Sequence, residues 1–354
     1  MPEAAGDLST PEDALSGAVL DVHAHYFPSD LGDWAQTTGD DRWPSLVIGP
    51  DGTGQIMLGE RVFRQVRAPL WDLDARTAEL DTAGVARQVI SPVPIMLTYW
   101  AEPGLSAGFA RAVNDSVGEQ VAKSHGRLAG LGTLPMQNVA LAVAELRRCV
   151  QDLGLAGVEI GTQPAGRDLD DRHLAPFFDA VAELDAAVFI HPLDGGGRAI
   201  RRGGQPYDFG LGMLTDTAMA ATSLICGGVL DRRPALRIGL AHGCGTFPWA
   251  APRLRMATLL TSDPGRHVTF DELTARLWVD SLVFDPDHLG LLTRRFGDGH
   301  VMFGTDYPFI PGQLEGARDF VRAAVTAGVI DEKQGKAILS GNIGAFLGEV
   351  PFEG

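Results

Sequence analysis

Two histidines spaced i, i+2 close the run Leu20-Asp21-Val22-His23-Ala24-His25-Tyr26. On a β-strand, alternate side chains share a face, so both imidazoles leave the strand's end on one side. Imidazole is a common ligand of zinc and other divalent ions, and the pair is half of a metal site. Alone, an H-x-H is as readily two histidines bonded to backbone or water. Partners stand at the ends of later apolar runs: His191 after 187–190, His242 after 236–240 and Asp306 after 300–303. Three imidazoles and a carboxylate hold one divalent ion with a coordination position left open. A fourth histidine is then free for proton transfer.

Such a rim needs strands that all end together. After the first strand, short apolar runs recur at 88–91, 128–134, 155–160, 187–190, 236–240, 277–280 and 300–303. Helical stretches separate or follow them at 72–83, 107–125, 139–153, 174–184, 211–230, 286–296, 314–327 and 332–347. Eight strands, apolar on both faces and alternating with helices, predict the α/β class and a (β/α)8 TIM barrel, whose active site lies at the strands' C-terminal ends. A doubly wound sheet is the other architecture this pattern allows. The barrel domain is expected over 18–354, after a flexible leader at 1–17. Residues 34–69 differ in composition, and the Asp51-Gly52 turn signal followed by runs at 55–58 and 61–64 reads as a small β-hairpin inserted after strand 1.

Composition narrows the function. A net charge of −16 excludes non-specific nucleic-acid binding, which depends on neutralising phosphates, so an anionic substrate must be met by a few local arginines. Three cysteines without a C-x-x-C pair point to a reducing compartment, and the chain reads as cytoplasmic. No run of eighteen uninterrupted apolar residues marks a membrane span, and the leader is acidic rather than signal-like.

The histidines and aspartate, in this order at these strand ends, resemble the metal-dependent amidohydrolase superfamily. Within it the chain is similar to the aminocarboxymuconate-semialdehyde decarboxylase group, through 21–28, 54–72, 155–161, 190–194, 242–245, 247–253, 279–286, 301–309 and 339–342. The resemblance implies that His23, His25, His191 and Asp306 bind one metal, zinc by preference with manganese or iron as alternatives. It also implies that His242 is the catalytic acid/base, that Arg64 grips a substrate carboxylate, and that Arg253 reaches into a neighbouring subunit's site, which requires a homodimer. The expected reaction is zinc-dependent, non-oxidative decarboxylation of an unsaturated or aromatic carboxylic acid, with hydration or hydrolysis as alternatives. The stretch 155–161 lacks the lysine with which many two-metal relatives bridge their ions, which favours one metal and decarboxylation.

On residue type alone, Arg64 and Arg253 read as solvated surface arginines, although a guanidinium suits bidentate carboxylate recognition. Arg198, Arg201 and Arg202 form either a lid over an anionic substrate or a solvated basic loop. Three positions depart from the family pattern: Leu193 stands where a tryptophan is expected, Pro50 where a lysine is, and Glu159 where an amide is. The first two bear on the substrate, and a carboxylate at 159 offers a bridge to a second metal. Cys244, two residues beyond His242, is either a thiol near the metal or a buried spectator.

Overall fold

The computed structural model describes residues 15–193, 199–261 and 268–348. Strand β1 (Val19–Tyr26) is followed by an antiparallel sheet of β2 (Pro44–Ile48), β3 (Gly54–Leu58) and β4 (Arg61–Val66). The remaining strands are β5 (Val85–Pro92), β6 (Leu128–Gly132), β7 (Gly157–Gly161), β8 (Ala187–His191), β9 (Arg237–Leu240), β10 (Leu277–Asp280) and β11 (Val301–Met302). They pair with β1 in one parallel sheet, in the order β1-β5-β6-β7-β8-β9-β10-β11. The ends of that sheet meet where Val22 N donates to Phe303 O at 2.9 Å, His25 N donates to Tyr307 O at 2.7 Å, and Ala24 bridges Tyr307. The result is the expected eight-stranded barrel.

Strand period decides what faces inward. On β8, Ala187 and Phe189 belong to the inner cluster, whereas Val188 and Ile190 pack into the layer between sheet and helices. His191 continues the inward row. The same alternation turns Glu159 on β7 and Asp280 on β10 toward the barrel interior. Below them the interior is filled by Val22, Leu131, Phe189, Trp278 and Met302, and the C-terminal turn brings Phe346 against Phe189 and Trp278. Gly239 leaves room for that ring, since a Cβ there would come within 2.9 Å of Phe346. The barrel is thus a packed core, open to chemistry only at its rim.

The longer helices, in chain order, are α1 (Leu73–Ala83), α2 (Pro103–Lys123), α3 (Val139–Gln151), α4 (Ala175–Glu183), α5 (Met213–Cys226), α6 (Phe247–Leu260), α7 (Pro286–Phe296) and α8 (Ala317–Thr326). Their ends follow capping chemistry. Asp72 accepts from Ala75 N at the start of α1 and Gly84 ends it at φ 68°, while Asp285 caps α7 just before Pro286. Two features differ from the sequence expectation. The insertion gains a third strand, β2, whose start at Pro44 carries no strand signal. Helix α6 occupies a span where no helical stretch was expected; Pro248 lies in its first turn and Pro252 within it, which breaks the helical signal in sequence. Of the leader, residues 1–14 lie outside the described residues; Leu15 is buried, and Arg318 donates to its carbonyl at 2.8 Å.

Candidate metal centre

His23, His25, His191 and Asp306 converge at the C-terminal rim, all four buried, each offering a ligand atom that lies within 4.8 Å of the others. Asp306 Oδ1 is 2.9 Å from His25 Nε2 and 3.7 Å from His23 Nε2. The Nε2 atoms of His23 and His191 are buried without a hydrogen-bond partner, and that of His25, also buried, meets only the Asp306 carboxylate. Three inward-facing ring nitrogens crowded round one carboxylate would be costly unless a cation satisfies them. The donor set, three imidazoles and one carboxylate, fits a divalent ion.

The opposite ring nitrogens are held. His23 Nδ1 donates to Asp280 Oδ2 at 2.6 Å and His191 Nδ1 donates to Pro192 O at 2.7 Å, which leaves Nε2 of each ring bare for ligation. Burial pulls the His23 pKa down, but the Asp280 hydrogen bond and charge outweigh it and push it up to about 9. At His25, and more strongly at His191, burial dominates and lowers the pKa. Beneath β1 a buried network fixes the H-x-H backbone. Arg76 on α1 donates to His25 O and to Gln88 Oε1, both at 2.5 Å, and Gln88 Nε2 donates to Asp21 Oδ2 at 2.8 Å. Thr305, beside Asp306, donates to the same Asp21 oxygen at 2.6 Å. Gly304 lets the two strand ends close up, since a Cβ there would stand 2.9 Å from His23 Cβ and 2.8 Å from Asp280 Cβ.

His242 sits outside the quartet. Its ring centroid lies 5.0 Å from that of His191 and 5.4 Å from that of His23, and its Nδ1 is buried without a partner. The backbone enters the left-handed region here, with φ 58° at His242, 59° at Gly243 and 65° at Cys244. Side chains rarely adopt it, and such strain persists only when neighbours enforce it. Asp280 enforces it: Oδ2 accepts from His242 N at 2.9 Å and Oδ1 from Gly243 N at 2.8 Å. One carboxylate therefore orients both a metal-facing ring and the turn that presents His242. Burial and the His23 charge keep the His242 pKa below the usual imidazole value.

A model of the amidohydrolase family matches residues 20–348. The chain belongs to the amidohydrolase family. It is 35% identical to 2-amino-3-carboxymuconate-6-semialdehyde decarboxylase of Dictyostelium discoideum, covering 94% of this chain and 92% of that one, and 31% identical to the Caenorhabditis elegans protein of the same name, covering 84% and 87%. Among solved structures, IDCase of Metarhizium anisopliae superposes with a TM-score of 0.79 at 23% identity, covering 94% of this chain and 98% of that one. The dihydroxybenzoic acid decarboxylase of Polaromonas, with a TM-score of 0.69 at 23% identity and covering 93% and 96%, contains bound manganese. With the buried His/His/His/Asp site, these sequence matches make the chain a metal-dependent decarboxylase of the amidohydrolase superfamily.

In this amidohydrolase a small cavity opens over the quartet, lined by His25, His191 and Asp306 together with Arg64, Leu193 and Phe309. Arg64 reaches it from the exposed strand β4, its guanidinium carbon 4.6 Å from the centre of the Phe309 ring. Arg253 does not join it; the residue is exposed on α6. Of the two departures bearing on substrate, Leu193 lines the cavity, whereas Pro50 is exposed in the turn between β2 and β3 and does not. Arg201 and Arg202 are exposed, and Arg198 lies outside the described residues. Glu159 is buried beneath the site, accepts from Ser91 Oγ at 2.6 Å and is pushed up to about 8 by burial; it is not one of the four clustered ligands. Cys244 is buried and likewise outside the cluster, its thiol pKa raised by burial. Asp280 and Arg76 were not foreseen. A polar residue ending an apolar strand was the signal for Asp280, the same one that marked His191.

Proposed function

We propose that the protein is a zinc-dependent, non-oxidative decarboxylase of an unsaturated or aromatic carboxylic acid, acting as a homodimer in the cytoplasm. The observation that carries the reading is His242, a buried imidazole with an unpartnered Nδ1 beside a complete quartet that does not need it. Held by His23, His25, His191 and Asp306, a divalent ion supplies Lewis acidity; manganese is the alternative to zinc. Arg64 orients a substrate carboxylate in the cavity, where its planar fork matches two oxygens. When the bond to the carboxyl carbon breaks, carbon dioxide leaves and the electron pair stays on the substrate carbon. His242 delivers a proton to that carbon and recovers one from water.

Incubation of metal-replete protein with unsaturated and aromatic acids, read by product mass, tests this: loss of carbon dioxide is expected. A gain of water or cleavage into two fragments would replace it with a hydratase or hydrolase. His242→Ala should lower kcat by about 10²- to 10⁴-fold with metal content unchanged.

The dimer reading is supported by α6. Trp249, Arg253, Met256 and Leu260 follow one another at i, i+4, i+7 and i+11 and so share a helix face, and the three apolar members are 85%, 57% and 80% exposed. A second copy covering that face would take Arg253 toward its own site. Light scattering should give a dimer for the native chain and a monomer for Met256→Glu. The cytoplasmic assignment is supported by three cysteines that form no disulfide.

A further inference from the structure

His242 opens on a second and larger cavity. It has a volume of about 390 Å³, within the usual span of small-molecule sites of about 300–1,000 Å³, and its walls are mainly apolar: Leu282 and Val283 after β10, Leu291 and Leu292 on α7, Phe209 in the turn before α5 and Met213 at its start. Phe209 and Met213 also line the cavity over the metal quartet, so the two spaces share a wall at the reacting centre. His25, His191, Asp306 and Arg64 face one space, and His242 faces the other. A substrate whose carboxylate lies near Arg64 and whose reacting carbon lies beside His242 extends past Phe209 and Met213 into the larger space.

We infer that this chamber is the subsite for an apolar substituent, so that the acid this enzyme decarboxylates carries a hydrocarbon group of several carbons. The inference rests on the decarboxylase reading and names its substrate class. Polar groups in the chamber wall are few: His242, Thr246 and His288 beside the peptide backbone. A polar substituent there would lose hydration with few partners to replace it, whereas each methylene moved in from water gains about fourfold in affinity. Trp249 lines the chamber and is exposed at its edge, on the α6 face that carries Arg253, so dimerisation would roof the space.

Titration calorimetry on the metal-loaded, full-length protein with benzoate, 3-butylbenzoate and 4-butylbenzoate tests the assignment. The better butyl isomer should bind at least about tenfold tighter than benzoate. Leu291→Trp, which fills the chamber from α7 without touching the quartet, should erase that preference and leave benzoate affinity unchanged. Val283→Phe is the second filling variant if Leu291→Trp does not fold. Equal affinity for benzoate and both butyl acids in the native protein, or a preference that survives filling, would overturn the subsite and leave the decarboxylase reading standing. Binding of none of the three would also overturn the subsite, while the decarboxylase reading stands or falls separately on the loss of carbon dioxide read by product mass.

Discussion

His191 stands on a strand hydrogen-bonded to neighbours on both sides, is buried, and has its ring fixed by a carbonyl 2.7 Å away. Arg64 stands on the edge strand of a three-stranded sheet, is exposed, and leans on one aromatic ring. The other metal-facing groups share the burial of His191, and the arginine expected to meet the substrate does not. The groups that hold the metal are built into the barrel, where the freedom to change is small. Arg64, proposed to meet a substrate carboxylate, sits on the insertion, where change costs little stability.

The sharpest way to break this contrast is at the quartet. His23→Ala should reduce bound metal from close to one equivalent per chain to near zero, by elemental analysis of protein purified without chelator, and abolish turnover. Two equivalents in the native chain would bring Glu159 into the site. Next in size is Asp280→Asn, which keeps the shape but removes the charge that orients the His23 ring and supports the left-handed turn at His242. Metal affinity should fall about 10- to 100-fold, measured by competition with a chromophoric chelator. Smallest is the exposed side. Arg64→Ala should raise KM roughly tenfold, the value of one charge-assisted contact, with metal content unchanged. Pro50→Lys, at a turn that does not line the cavity, should change neither KM nor stability beyond about 0.5 kcal/mol.

The barrel and the metal quartet were legible because one rule marks both. An apolar strand that ends in a polar residue identifies the strand and its functional tip together, and His191, His242 and Asp306 each obey it. Asp280 obeys it too, but its importance depends on a backbone turn at 242–244 supplied by another strand, which no local pattern announces. Arg76 was hidden for a different reason: an arginine within an ordinary helix looks solvated until the helix docks and presses it against the His25 carbonyl. Helix α6 was obscured by its two prolines. Its exposed apolar stripe cannot be told from a core-facing stripe in sequence, since the periodicity is the same whether the face meets the barrel or a second chain.

The barrel's seam passes through the metal centre. Its closing contacts join β1 to the segment after β11, and Asp306 N donates to His23 O at 2.8 Å across the join. During synthesis, then, the two histidines of β1 are made seven barrel strands before their aspartate partner. A chain that stops short of Asp306 lacks the fourth ligand of the quartet, so the last ligand and the contact that closes the barrel arrive together.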